Sequence, residues 1–475
     1  MKEPVKIGFI SLGCPKNQID SEVMLGTLVR SGFELTREED KAEILIVNTC
    51  GFIDRAKQES IDTIIELGEL KKTGRCKALI ATGCLTQRYR DELLKELPEL
   101  DAIVGTGDFP KIADLCWLLL GRQNDPRSVP VRWTGSPTFL YGTETPRLRI
   151  GPRQWAYVKV SEGCHRTCSF CIIPAIRGNL QSRPVSSVVE EVERLADEGV
   201  KEVNLIAQDM SSYGMDRGRR GELIHLLQRL VRIEGIRWIR LLYLYPHRFP
   251  EGLMELMASE EKICSYVDLP LQHIDDDLLH RMNRGGNSHE IHTLLDRLRR
   301  NIAGLVLRTT FIVGFPGETE RQFKRLYDFV QETQFDRVGV FTYSPEEGTS
   351  AYPLGDPISE SVKEERRGRL LKLQARISLK KNSELIGTIQ NVFVEGPSSE
   401  TDLLLVGRTA GHAPEIDGGV YINEGEARPG DFVQVEITQA SHYDLVGRIV
   451  NKFLLENVLD ARRRENRTGA YEIGT

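Results

Sequence analysis

Short apolar runs alternate with helix-length amphipathic segments through residues 5–341 of the 475-residue chain, and that alternation restricts the fold more than any other feature. Near the N-terminus the runs fall at 5–12, 44–48, 78–82 and 102–104, separated by segments with apolar residues at helical spacing at 17–30, 53–70 and 87–97. Such a rhythm predicts an α/β fold with an open, mostly parallel sheet. It resumes with longer units: strands are expected at 156–160, 202–206, 238–243, 266–269, 306–312 and 337–341, with helices at 185–198, 223–233, 251–258, 276–282, 290–301 and 320–333. Six βα units predict a parallel barrel or partial barrel, whose working residues cluster at the C-terminal strand ends. Between the two blocks, residues 121–150 are rich in Gly, Pro, Arg and Thr without periodicity and read as a linker with one extended piece.

The remainder has a different pattern. Residues 360–385 are charged and periodic, a connecting helix whose basic cluster is either a solvated face or a nucleic-acid contact. Alternating runs at 389–394, 402–408, 420–422, 432–438 and 444–449 predict a small antiparallel β-barrel of oligonucleotide-binding style. Its charge argues against that binding mode. Residues 384–452 hold eleven Asp or Glu against four Arg or Lys, a balance of −7 when the whole chain carries −6. A nucleic-acid reader carries a basic patch; an acidic barrel prefers a basic partner, unless its charge serves solubility alone. The expected parts are therefore 1–120, a linker at 121–150, 151–357, the helix at 358–383, the barrel at 384–452 and a frayed tail at 453–475 with no function assigned. No apolar run approaches the roughly 20 residues of a membrane span. Lys2 and Lys6 before IGFISLGC imitate a lipoprotein signal, but the apolar core is shorter than an h-region and reads as a first strand. The expected location is cytoplasmic, with no membrane partner.

Nine cysteines without a secretion signal point to thiol or metal chemistry rather than disulfides. Cys164, Cys168 and Cys171 stand at Cys-x3-Cys-x2-Cys spacing in GCHRTCSFC, directly after the strand at 156–160. Thiolates this close grip one soft-metal centre. With no fourth cysteine nearby, an iron–sulfur cube held here keeps one iron open to a small molecule; the alternative is a zinc knuckle completed by His165 or a distant ligand. Cys14, Cys50 and Cys84 each sit just past a strand where the next helix begins, the edge at which ligand sites form in open α/β sheets. They are expected to converge on a second cluster, chance placement being the alternative. Helix N-termini there favour an anionic centre, and Gly13, Gly51 and Gly83 let backbone approach it. Cys76, Cys116 and Cys264 stand alone and read as buried, inert thiols. By the barrel rule the cysteine loop should neighbour Gln208 and Asp209, Gln272 and His273, and GFPGE at 314–318. His273 is either structural or site-facing. Arg308, inside an apolar strand, either points outward or finds an anion: a cofactor carboxylate or a structural ion pair.

The cysteine loop, with Phe170 before its third thiol, resembles that of radical S-adenosylmethionine (SAM) enzymes. The order of parts is similar to the methylthiotransferases over nearly the whole chain to about residue 450. The residues that carry this are SLGCPKN with DSE around Cys14, VNTCGFID at Cys50, ATGCLTQRY at Cys84, EGCHRTCSFCIIPAIRG, LIAQD ending at Asp209, and HAPEIDGGVYI from His412. Within that family the chain resembles the branch that modifies an aspartate of the small-subunit ribosomal protein S-twelve; the transfer RNA branch typically has Gln-Met where Pro15 and Lys16 stand. Gln18 and His412 are less usual choices, and the tail is extra. The resemblance implies a C-terminal barrel of the TRAM type and two 4Fe-4S clusters, on Cys164, Cys168 and Cys171 and on Cys14, Cys50 and Cys84. It further implies SAM bound and cleaved to a radical at the first cluster, sulfur delivered from the second, and a second SAM as methyl donor. Gln208, Asp209, Arg308 and Gly314 are the candidate cofactor-binding residues, with no catalytic side chain beyond the cluster ligands. An electron donor and a sulfur donor are implied partners. Two other readings are a transfer RNA methylthiotransferase and a non-enzymatic iron–sulfur electron carrier.

Overall fold

The computed structural model describes residues 4–122 and 129–451. The tail expected at 453–475 lies outside them, as does part of the 121–150 stretch. In the first part, β1 (Lys6–Ser11), α1 (Pro15–Arg30), β2 (Glu34–Thr36), β3 (Ile44–Thr49), α2 (Asp54–Thr73), β4 (Ala78–Gly83), α3 (Cys84–Glu96), β5 (Ala102–Val104), α4 (Ile112–Gly121) and β6 (Val131–Trp133) follow one another. The strands form one sheet in the order β2-β1-β3-β4-β5-β6, every pair parallel. β3 and β4 are buried at every position because helices cover both faces, which is why they read as unbroken apolar runs. β6, the extended piece within the 121–150 stretch, completes one edge.

The central part runs β7 (Trp155–Lys159), β8 (Ser161–Glu162), α5 (Ile173–Arg177), β9 (Gln181–Ser182), α6 (Val185–Asp197), β10 (Glu202–Ile206), α7 (Glu222–Leu230), β11 (Trp238–Leu241), α8 (Leu253–Ser259) and β12 (Tyr266–Asp268). It continues with α9 (Asp276–Arg281), α10 (Ser288–Asn301), β13 (Val306–Val313), α11 (Glu320–Thr333) and β14 (Arg337–Thr342). Two parallel three-stranded sheets, β11-β10-β7 and β12-β13-β14, are joined by the parallel bridge Ile239–Ile263, giving a partial barrel in sequential order. β13 alternates between buried and half-buried residues, one face on the helices and the other towards the interior.

After α12 (Glu360–Ser383), strands β15 (Ile389–Pro397), β16 (Leu405–Arg408), β17 (Val420–Glu424), β18 (Phe432–Ala440) and β19 (Leu445–Asn451) close a barrel in the order β15-β16-β17-β19-β18. The β17–β19 pair is parallel and the others are antiparallel. An odd number of strands in a closed ring cannot alternate direction all the way round, so one parallel pair is obligatory. This small barrel meets the starts of the central strands. Trp238 packs edge-on to Phe393 and Phe432, with ring centroids 5.7 and 5.0 Å away. Glu202 takes Arg408 at 2.6 Å and Arg240 at 3.1 Å. The N-terminal sheet is fastened elsewhere: Arg147 bridges Glu22 of α1, at 2.6 Å, to Glu191 of α6.

Candidate active site

Cys14, Cys50 and Cys84 lie past the ends of β1, β3 and β4, which are adjacent in the sheet, so the topology brings all three to one edge. The approach is close. A Cβ placed on Gly13 would lie 3.1 Å from Cys50 Cβ, and one on Gly51 would lie 2.9 Å from the Cys84 carbonyl carbon. Asn17 ties the edge together: its Nδ2 donates to the carbonyls of Leu12 (3.1 Å) and Thr49 (2.8 Å), and the Cys84 thiol lies 3.5 Å from its Oδ1. Gly83 turns the chain from β4 into α3 with φ of 102°, a conformation open to glycine at little cost.

The other three thiols occupy the loop from β8 to α5. Cys164 N–H donates to Gly178 O (3.0 Å) and Ser169 N–H to Met282 O (2.9 Å), anchoring the loop at both ends. Donors face its sulfurs: Arg166 N–H lies 3.4 Å from Cys164 Sγ and Arg284 Nη1 3.4 Å from Cys168 Sγ. Phe170 packs against the cluster that contains Leu278, Met282 and Phe315.

Between the two triads is a buried charge network. Arg177, closing α5, donates to Cys84 Sγ (3.2 Å), Asp20 Oδ2 (2.5 Å) and Asn17 Oδ1. Lys159 Nζ reaches Asp20 Oδ1 (2.6 Å) and Glu162 Oε2 (2.5 Å), and Gln208 Nε2 donates to Glu162 Oε1 (2.6 Å). Burial alone would raise the Glu162 carboxyl, but Lys159 and Arg177 hold it down at about 2. The chain thus links Cys84 to Glu162, the residue two before Cys164. Of these partners the sequence singles out only Cys84 and Gln208. Arg177 and Glu162 stood unexamined inside the quoted EGCHRTCSFCIIPAIRG stretch, and Lys159 was a charge at the end of an apolar strand.

The remaining sequence candidates fall into place around this. Asp209 accepts from Arg166 Nε at 2.7 Å and so positions the cysteine loop. Gln208 Oε1 is buried with no hydrogen-bond partner among the described residues. Arg308 pairs with Asp268 at 2.7 Å, its register partner on the neighbouring strand, the ion-pair outcome of the two left open. Gly314 N–H donates to Glu318 Oε2 at 2.5 Å, and a Cβ there would lie 2.4 Å from Lys363 Cγ. His273 is fully buried; its Nδ1 accepts from Asp275 N–H at 2.9 Å, leaving Nε2 to donate to Glu318 at 3.2 Å, a structural use. Gln272, with φ of 74°, meets Phe311 in an isolated bridge. Cys76, Cys116 and Cys264 are buried.

The donor set fits iron–sulfur clusters. Among the described residues no three His, Cys, Asp or Glu side chains are gathered as one metal ion would need. Burial pushes the Cys84 and Cys171 thiols up to about 12, so iron would have to displace their protons on binding. N–H donors already aimed at Cys84, Cys164 and Cys168 suit bound thiolates.

Comparison with known proteins gives three matched segments: residues 6–105 match "Uncharacterized protein family UPF0004", 158–330 the "Radical SAM superfamily" and 386–450 the "TRAM domain". The chain is 50% identical over 445 residues to the ribosomal protein uS12 methylthiotransferase RimO of Geotalea uraniireducens, covering 94% of this chain and 98% of that protein. It is 51% identical to the protein of the same name from Syntrophotalea carbinolica, covering 95% and 98%. Among solved structures, the radical S-adenosylmethionine methyltransferase TsrM from Kitasatospora setae, with cobalamin and a [4Fe-4S] cluster bound, aligns with a TM-score of 0.55 at 15% identity, over 82% of this chain and 81% of that one. That likeness is one of fold.

Proposed function

We propose, since the chain belongs to the ribosomal protein uS12 methylthiotransferase family, that it places a methylthio group on the β-carbon of an aspartate of uS12. The observation that supports this most directly is the pairing of two thiol triads across one buried network. Cys164, Cys168 and Cys171 would hold one 4Fe-4S cluster and Cys14, Cys50 and Cys84 the other. When bound, the clusters and two SAM molecules supply the hydrogen-abstracting radical, the sulfur and the methyl group. The protein's own part is positioning and exclusion of water. Asp209 orients the cysteine loop through Arg166, Arg308 and Asp268 stiffen the strand ends behind it, and Gly314 lets the next turn close over Lys363. Gln208 would offer the cofactor its Oε1, an acceptor with no partner among the described residues.

The acidic barrel suits a basic protein partner better than a nucleic acid. A one-electron donor and a sulfur donor complete the partner set. Among the described residues no helix is long and apolar enough to cross a membrane, and a ribosomal substrate places the work in the cytoplasm. Mass spectrometry of uS12 and of transfer RNA from a deletion strain tests the reading: the methylthio mark should disappear from uS12, and its loss from RNA alone would overturn it. Reduced, reconstituted protein should also release 5′-deoxyadenosine from SAM; an electron carrier would not.

A further inference from the structure

The basic stretch of α12 divides in two. In its first half the cations are answered: Lys363 pairs with Asp356 (2.5 Å), Arg366 with Glu318 (2.7 Å), Arg367 with Glu364 (3.0 Å) and Arg369 with Glu320 (2.9 Å). Further on, Lys372, Arg376 and Lys380 are exposed and have no carboxylate partner among the described residues. They recur at every fourth position, so they form one stripe, with charges about 6 Å apart along the helix axis. From Arg369 to Lys381 the helix carries five Arg or Lys and no Asp or Glu. A face that is merely solvated alternates its signs.

The stripe also borders a cleft. Arg369, Lys372 and Arg376 line a hollow of about 710 Å³ whose other walls include Tyr327 of α11 and His442 in the turn between β18 and β19. Arg376 donates to the Tyr327 hydroxyl at 3.2 Å, and Asn382 Nδ2 holds the turn by donating to the Ser441 carbonyl at 3.0 Å. Tyr443, next in that turn, is 49% exposed. Positive charge beside an open ring suits a nucleic acid strand, which offers phosphates and bases together. An acidic polypeptide would answer only the charge.

We propose that this cleft binds the phosphate backbone of the ribosomal RNA that accompanies uS12, so that the protein acts on uS12 within the small subunit. The inference rests on the uS12 reading above. It divides the C-terminal part of the chain by sign: the barrel, at −7, takes the basic protein, and the adjoining stripe takes the RNA to which that protein is bound.

The test compares anaerobically reconstituted full-length wild type with the triple change Lys372→Gln, Arg376→Gln, Lys380→Gln, three exposed positions. Binding to small-subunit RNA alone is measured across salt from about 50 to about 200 mM. Loss of three phosphate contacts should lower the slope of log affinity against log salt by about 2 to 3, and an unchanged slope overturns the proposal. Polyglutamate that displaces the RNA as readily as more RNA does would assign the cleft to an acidic polypeptide and overturn it equally. With small subunits from a deletion strain as substrate, the triple change should raise KM at least about tenfold. The KM for free uS12, the KM for SAM and iron per chain should stay as in wild type. A rise shared by free uS12, or wild type that modifies uS12 only when it is free, overturns the proposal. Wild type that leaves uS12 unmodified in both forms would instead defeat the functional reading, and the salt slope would still decide the RNA site.

Discussion

Arg177 is 2% exposed, and its acceptors Asp20, Asn17 and Cys84 all belong to the N-terminal sheet domain, although it is itself part of the radical loop's following helix. Arg177 is therefore one of the ties between the two triads, alongside Lys159 on Asp20. Arg177→Met removes the fork and leaves Lys159 as the cation shared by Asp20 and Glu162; the expected cost is about 3 kcal/mol or more, read by urea denaturation. Hydrogen bonds to sulfur raise a cluster's potential, so the same variant should lower the midpoint potential of the cluster on Cys14, Cys50 and Cys84, measured by redox titration with EPR detection, and leave the other unmoved. An unchanged potential would mean that Arg177 serves packing only. The triple change Cys14→Ala, Cys50→Ala, Cys84→Ala should remove roughly half of the bound iron, and undiminished iron per chain would refute the second cluster. Cys14, Cys50 and Cys84 stood out because each follows a strand, and Cys164, Cys168 and Cys171 because of their spacing. Arg177 did not: Asp20 lies 157 residues away in sequence, and no local pattern marks so distant a partner.

The loop between β8 and α5 depends on its backbone path as much as on its thiols. Gly163 has φ of 73°, and a Cβ there would stand 2.1 Å from Asn179 O, a backbone atom that cannot swing aside. Gly163→Ala should therefore displace Cys164 and cut iron per chain to roughly half, the N-terminal triad keeping its share. The N-terminus of α11 provides a contrasting control. Thr319 and Gln322 form a capping box, each side chain accepting from the other's backbone N–H, at 3.3 and 2.9 Å. Thr319→Ala should cost about 1 kcal/mol in denaturation and leave the iron intact. Elements of this kind divide by how much pattern they carry. β3 and β4 were readable from unbroken apolar runs, whereas β8 and β9, at two residues each, are too short to show a period. Arg308 illustrates the intermediate case: its place in a strand was clear, but its partner became visible only with the register that sets it opposite Asp268.

The three parts are joined through ionised side chains as much as through apolar contact, and the joints sort by which end of the central strands they use. The thiols, Asp209 and Tyr243 lie at or beyond strand ends, while Trp155, Glu202, Trp238 and Tyr266 each begin a strand, and those starts are where the C-terminal barrel docks. A face of that kind carries stability rather than chemistry. Sequence periodicity predicted the barrel but said nothing of this joint, because Glu202 and Arg408 are 206 residues apart. Burial would raise the Glu202 carboxyl, but Arg408 and Arg240 outweigh it and hold the group below its usual 4.5. A carboxyl depressed in the folded state contributes stability that is complete above its unfolded value and is lost as pH falls through the folded one. Glu202→Gln leaves Arg240 and Arg408 buried without an anion, so it should weaken the joint by about 3 kcal/mol at pH 7. Urea denaturation at each pH reports that loss. The difference between wild type and variant should stay constant from pH 7 to about 5 and shrink below about 4.5. Taking the difference also cancels the acid sensitivity of thiolate–iron bonds, which both proteins share. A gap that persists undiminished at low pH would assign the joint to the Trp238, Phe393 and Phe432 rings, not to the carboxylate.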